Sequence, residues 1–149
     1  MAYGFNDDKS KYEIKNGVVL WENPNTGDNS GFAAQTVQLS DEHTNYDYLE
    51  IIAVNVPVGK LYGSMKIPQP AMTARIINIP SFDGSSGSSS LYWVGRDVQF
   101  LQNSTAARSQ AVFGNGWRKS IQAGSGGAIG ISTGATYCIP VAIIGYKYN

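Results

Sequence analysis

The groups in this sequence best able to do covalent or metal chemistry are few and scattered: there is one histidine, His43, and one cysteine, Cys138. Hydrolytic triads and zinc centres need histidines and cysteines in convergent sets, so one chain cannot build either. His43 lies in Ser40-Asp41-Glu42-His43-Thr44-Asn45, a polar stretch that reads as a turn with a solvated imidazole. Three copies around a symmetry axis are the one route from it to a metal site. Cys138 sits inside an apolar run, where a buried, inert thiol is expected, and as the sole cysteine it forms no intrachain disulfide.

A glycoside-cleaving carboxylate pair would have to come from Asp47, Glu50, Asp83 or Asp97. No spacing among them is diagnostic, and Asp47 and Glu50 have opposite parity, which puts them on opposite faces of a regular strand. Asp7, Asp8, Asp28, Asp41 and Glu42 fall in turns or near the N-terminus without EF-hand spacing. Asn25-Thr26-Gly27-Asp28-Asn29 reads as an Asx-rich turn before it reads as a calcium loop. Gly124-Ser125-Gly126-Gly127-Ala128-Ile129-Gly130 lacks the Lys-Ser/Thr pair and following helix of a phosphate loop. The expectation is a chain that is not an enzyme and has no catalytic residue, metal or cofactor.

Binding chemistry is easier to argue. Trp21, Trp93 and Trp117 carry faces that stack on sugar rings, but Trp21 and Trp93 lie in apolar runs and read as core. Trp117, beside Asn115-Gly116 and followed by Arg118 and Lys119, reads as a surface ligand contact. Phe82 and Asp83 interrupt the Ser/Gly-rich stretch 81–90, which reads as a mobile surface loop, and they are two further candidate ligand residues. Eleven basic and eleven acidic residues cancel, with no dense cluster, so no footprint for nucleic acid or an anionic membrane is present. No stretch approaches the roughly 20 apolar residues of a membrane helix, and no signal peptide is read; assembly in a cytoplasm is expected. Low charge with much Tyr, Asn, Gly and Ser suits neutral, hydroxyl-rich ligands or other subunits.

These residues must be positioned by strands. The chain of 149 residues suits one domain that buries roughly two-thirds of its unfolded surface. No long window carries an apolar stripe at helical spacing, whereas short apolar runs between Gly, Pro, Asn and Ser recur. The fold class is all-β, with strands expected at 18–22, 32–39, 46–55, 71–79, 91–101, 111–113, 117–123, 128–131 and 136–148. Connectors at 23–31, 57–60, 67–70 and 114–116 carry turn residues, and Asn115-Gly116 predicts a hairpin joining residues 110–113 to 117–121. Segment 46–55 is apolar enough to be central, and the closing Tyr137-Cys138-Ile139-Pro140-Val141-Ala142-Ile143-Ile144-Gly145-Tyr146-Lys147-Tyr148 is core. The architecture expected is an antiparallel β-sandwich, jelly-roll-like, over residues 17–149, preceded by an extended N-terminal arm, residues 1–16. Tyr3 and Phe5 are that arm's candidate docking anchors.

Three stretches carry a resemblance. The opening Met1-Ala2-Tyr3-Gly4-Phe5-Asn6-Asp7-Asp8-Lys9-Ser10-Lys11 resembles the N-terminus of short bacteriophage virion proteins, head or tail fibre components. The block 18–25, running into 32–36 and 46–50, and the closing run 137–145 are similar to a β-sandwich at the C-terminal end of phage tail and minor structural proteins. The stretch from about 57 to 134 carries no such resemblance. The resemblance implies a virion-attached, homotrimeric accessory protein whose arm docks on capsid or tail while the sandwich faces outward; a host cell-surface glycan is a further expected partner. It identifies no binding residue, and the chain lacks the heptad or collagen-like shaft of longer fibres. Two other classes compete: a free carbohydrate-binding module, on the strength of Trp117 and nine tyrosines, and a small glycoside hydrolase, on scattered carboxylates alone.

Overall fold

Nine strands and one short helix make up the computed structural model, which describes residues 17–25, 31–55, 61–68, 76–83, 90–122 and 129–148. The strands are β1 (Gly17–Glu22), β2 (Gln35–Gln38), β3 (Tyr48–Asn55), β4 (Leu61–Pro68), β5 (Ile76–Asp83), β6 (Ser90–Gln99), β7 (Gln110–Gln122), β8 (Ile129–Gly134) and β9 (Ile139–Tyr146). All pairings are antiparallel. One sheet runs β1-β9-β3-β4; the other runs β2-β7-β6-β5, with β8 also on β7. The all-β sandwich expected from the sequence is what forms. The arm, with Tyr3 and Phe5, lies outside the described residues, as do 26–29 of the Asx-rich turn and 124–128 of the glycine stretch.

The closing apolar run becomes β9 over Ile139–Tyr146, buried along that length and flanked by β1 and β3, whereas Lys147 and Tyr148, expected in the same interior strand, are exposed. β3 is internal too, between β9 and β4, and seven of its eight residues are buried. Alternating side chains leave no polar face on either strand, so both demand an interior place. Between the sheets, Trp21, Phe32 and Phe113 form an aromatic triangle with centroids 5.4 to 5.9 Å apart. Each such pair adds about 0.5–1.5 kcal/mol beyond area burial. Gly145 lets Tyr46 lie flat on β9, since a Cβ there would stand 2.5 Å from the Tyr46 ring.

Several expectations give way. The Asn115-Gly116 hairpin does not exist: β7 runs straight through it and pairs with β6 on one side and with β2 and β8 on the other. Asn115 keeps a negative φ, so the left-handed backbone a tight two-residue hairpin needs is absent there. The glycine serves packing: a Cβ on Gly116 would meet the Tyr137 carbonyl oxygen at 2.1 Å. Of the expected Ser/Gly loop 81–90, Ser81, Phe82 and Asp83 instead end β5 and Ser90 begins β6, while 84–89 lie outside the described residues. β4 was not expected, and the expected strand 32–39 shrinks to Gln35–Gln38.

His43 also departs from expectation. It starts a 3-10 turn (His43–Asn45), is 0% exposed, sets its Nε2 2.9 Å from the Leu101 carbonyl oxygen and meets Phe100 edge-on at 5.2 Å. Local polarity suggested water, but the turn folds under the β6–β7 connection. That connection holds the helix α1 (Thr105–Arg108), capped by Ser104, whose Oγ accepts from the Ala107 N–H. Arg108 Nε reaches back to Glu42 Oε2 at 2.6 Å. Fully buried, His43 presents no ring nitrogen at the surface where symmetry-related copies could share a metal ion.

Candidate recognition face

Arg96 organises the part of the larger sheet that carries Trp93 and Trp117. It is 0% exposed. Its Nε donates to the Cys138 carbonyl (2.8 Å), its Nη1 to Gly114 (2.6 Å), and its Nη2 to Tyr137 (3.0 Å) and Ala135 (3.3 Å). Its Cζ lies 5.2 Å from the Phe32 ring centroid. Only a planar fork can serve so many carbonyls at once, and these charge-assisted bonds offset the desolvation that draws its pKa down to about 10. The fork binds β6 to the middle of β7 and to the β8–β9 corner, where Cys138 takes φ 47°. The register of β6 against β7 slips between Arg96 and Val98, a bulge at the same place.

Beyond that bulge the parity is plain. Val94 and Arg96 point inward, and Trp93 points out. Trp93 is opposite Lys119, Lys119 is opposite Ile131 on β8, and Gly95 is opposite Trp117, itself opposite Thr133. Trp93 is 41% and Ile131 65% exposed; Lys119 is exposed and Trp117 half-buried. Lys119 Nζ stands 4.8 Å from the Trp117 ring centroid. The outer face of β6, β7 and β8 therefore carries two indoles, an isoleucine and a lysine in one strip.

Of the residues singled out in the sequence, Trp117 belongs to this strip, though in mid-strand and not beside a turn. Phe82 is registered opposite Trp93, which brings its backbone next to the strip; Asp83 is registered opposite Tyr92. The side chains of Phe82 and Asp83 are outside the described residues. Trp93 is the residue that sequence reading misplaced in the core. Leu91-Tyr92-Trp93-Val94 looks continuously apolar, but a strand alternates, and Val94, 1% exposed, takes the interior position. The parity of Trp93 with Lys119 was not visible without the pairing.

The other carboxylates and the thiol have structural surroundings. Glu50, 1% exposed, accepts from the Tyr146 hydroxyl at 3.0 Å, while Asp47 accepts from the Tyr148 N–H at 2.6 Å. Asn23 Oδ1 accepts from the Asn25 N–H, an Asx turn where the 23–31 connector begins. Cys138 is buried as expected, and burial pushes its thiol pKa up to about 12, against a smaller opposite effect of Arg96. Among the described residues, no three His, Cys, Asp or Glu side chains gather as a metal site. Tyr48 stacks on Tyr146 at 4.7 Å and leans on Tyr148 at 5.6 Å, forming with Lys66 and Pro68 a shallow hollow of about 330 Å³ on the smaller sheet. Comparison with protein-family models, curated proteins and solved structures found no match to this chain.

Proposed function

We propose that this chain is a non-enzymatic structural module of a bacteriophage virion: a tail-fibre or receptor-binding unit, or a capsid-mounted head fibre or decoration unit. In this reading residues 1–16 dock on the particle through Tyr3 and Phe5. The sandwich, wound as a jelly roll, assembles as a homotrimer in the host cytoplasm and presents the Trp93–Trp117 face outward. The observation that carries the reading is Trp93, 41% exposed beside a second indole and a lysine on the outer sheet face. Such a strip costs solubility unless something covers or uses it. The resemblance of both chain ends to virion proteins supplies the location.

Immunogold electron microscopy of purified particles tests this. Label on head or tail, lost when residues 2–16 are deleted, is expected; label confined to the soluble fraction ends the reading. The same strip supports a free carbohydrate-binding module as the second reading, which would show glycan retention with no particle label.

A further inference from the structure

Resting on that reading, we propose that the outer face of β6 and β7 binds an anionic glycan, with Trp93 stacking on a pyranose ring and Lys119 pairing with a carboxylate along the chain. The register supplies the spacing. Trp93 and Lys119 are direct cross-strand neighbours, so their Cβ atoms are about 5 Å apart, whereas Trp93 and Trp117 are diagonal, about 7–8 Å apart. Gly95, opposite Trp117, puts no side chain between the two indoles. A sugar ring laid on Trp93 thus has an ammonium beside it and a second aromatic one step along.

The charge of Lys119 is free to be used. It is exposed and held over the Trp117 ring only by a weak cation–π contact, so a carboxylate can draw it across at small cost. Among the described residues, charges facing it are sparse. Outward positions on β6 are Trp93, Gly95 and Asp97, and Asp97 lies four residues from Trp93, roughly 13 Å by strand rise. β8 contributes Ile131 and Thr133, and Arg118 turns to the opposite face, over Tyr137 at 5.2 Å. One cation per strip is too few for the phosphate spacing of nucleic acid. Indoles interleaved with glycine, threonine and lysine offer ring faces and polar edges together, which suits a sugar better than the continuous apolar patch of a subunit contact.

The test uses the full chain, titrated with oligogalacturonate, with alginate oligomers and with fully methyl-esterified oligogalacturonate, read by tryptophan fluorescence and calorimetry. The acidic oligomers should bind about three- to fivefold more tightly than the ester, the contribution of an exposed ion pair, and 0.5 M salt should close the gap. Lys119→Gln should remove the preference and Lys119→Arg keep it, while Trp93→Ala should abolish saturable binding of all three. Both sites are exposed, so thermal melting should stay within about 4 °C of the parent and separate lost binding from lost folding. Equal affinity for acid and ester, an unaffected Lys119→Gln, or no saturable binding of either acidic oligomer would overturn the proposal. Particle labelling is read independently: acidic-glycan binding without label retires the virion reading and leaves this one standing.

Discussion

Arg96 holds carbonyls from β7 and from the β8–β9 corner, and its loss would strand them in the interior. Arg96→Met should cost at least about 3 kcal/mol in urea unfolding, because buried carbonyls lose charge-assisted donors. Arg96→Lys should recover only part of this, since a point charge cannot reproduce the fork. A change below about 1 kcal/mol for Arg96→Met would show that the hub is not structural. His43 sets a pH dependence. Its pKa lies below the usual value of 6.5, chiefly through desolvation, with the Leu101 carbonyl bond opposing. Below about pH 6.5 the unfolded chain takes up a proton that the folded chain refuses, so stability is level at higher pH and falls as pH drops through that value. Urea melts at pH 8, 7, 6 and 5 should show this loss, and His43→Gln should flatten it. Asp41, lowered first by its bond from the Glu42 N–H and next by Tyr46, adds a loss only in the acid range of carboxylates, near pH 4 and below. Sequence reading took His43 as a solvated turn residue and did not single out Arg96 at all, because the burial of each is decided by segments distant in sequence.

β7 shows how a local signal loses to its neighbours. Asn-Gly is a strong hairpin signature, but here β2, β6 and β8 all pair across or beside it, and every backbone group they satisfy favours a straight strand. Two substitutions separate the cases. Asn115→Thr, exposed and at negative φ, should change stability by no more than about 0.5 kcal/mol, whereas a hairpin would resist a β-branched residue there. Gly116→Ala should cost more than about 2 kcal/mol, since its methyl would meet the Tyr137 and Gly134 carbonyl oxygens at 2.1 and 2.8 Å. Thermal melts of both variants check the pair. β3 and β9, by contrast, were legible as central strands because apolar residues on both parities permit no other place. β4 was missed although Leu61, Gly63, Met65 and Ile67 alternate with Tyr62, Ser64, Lys66 and Pro68; its flanking prolines drew attention to turns instead.

At the scale of the molecule, Cys138 reports on closure. It opens the corner into β9, is 0% exposed, and carries a thiol pushed up to about 12, so native protein at pH 8 should not react with a thiol reagent. Labelling in increasing urea should follow global unfolding; fast labelling without denaturant would mean that the Arg96 corner opens locally. The expected homotrimer is checked by sedimentation, where a single-chain mass across a wide concentration range would exclude it. The chain's own residue order was enough to determine the all-β class, the two-sheet architecture and the interior place of the last strand, because strand period and apolar content are local properties that any packing must respect. Which tryptophan meets water, where the buried arginine finds its carbonyls, and whether Asn115-Gly116 turns or runs on were decided only in three dimensions. Each depends on register between strands far apart in the chain, and a register is a relation between segments that neither segment contains alone.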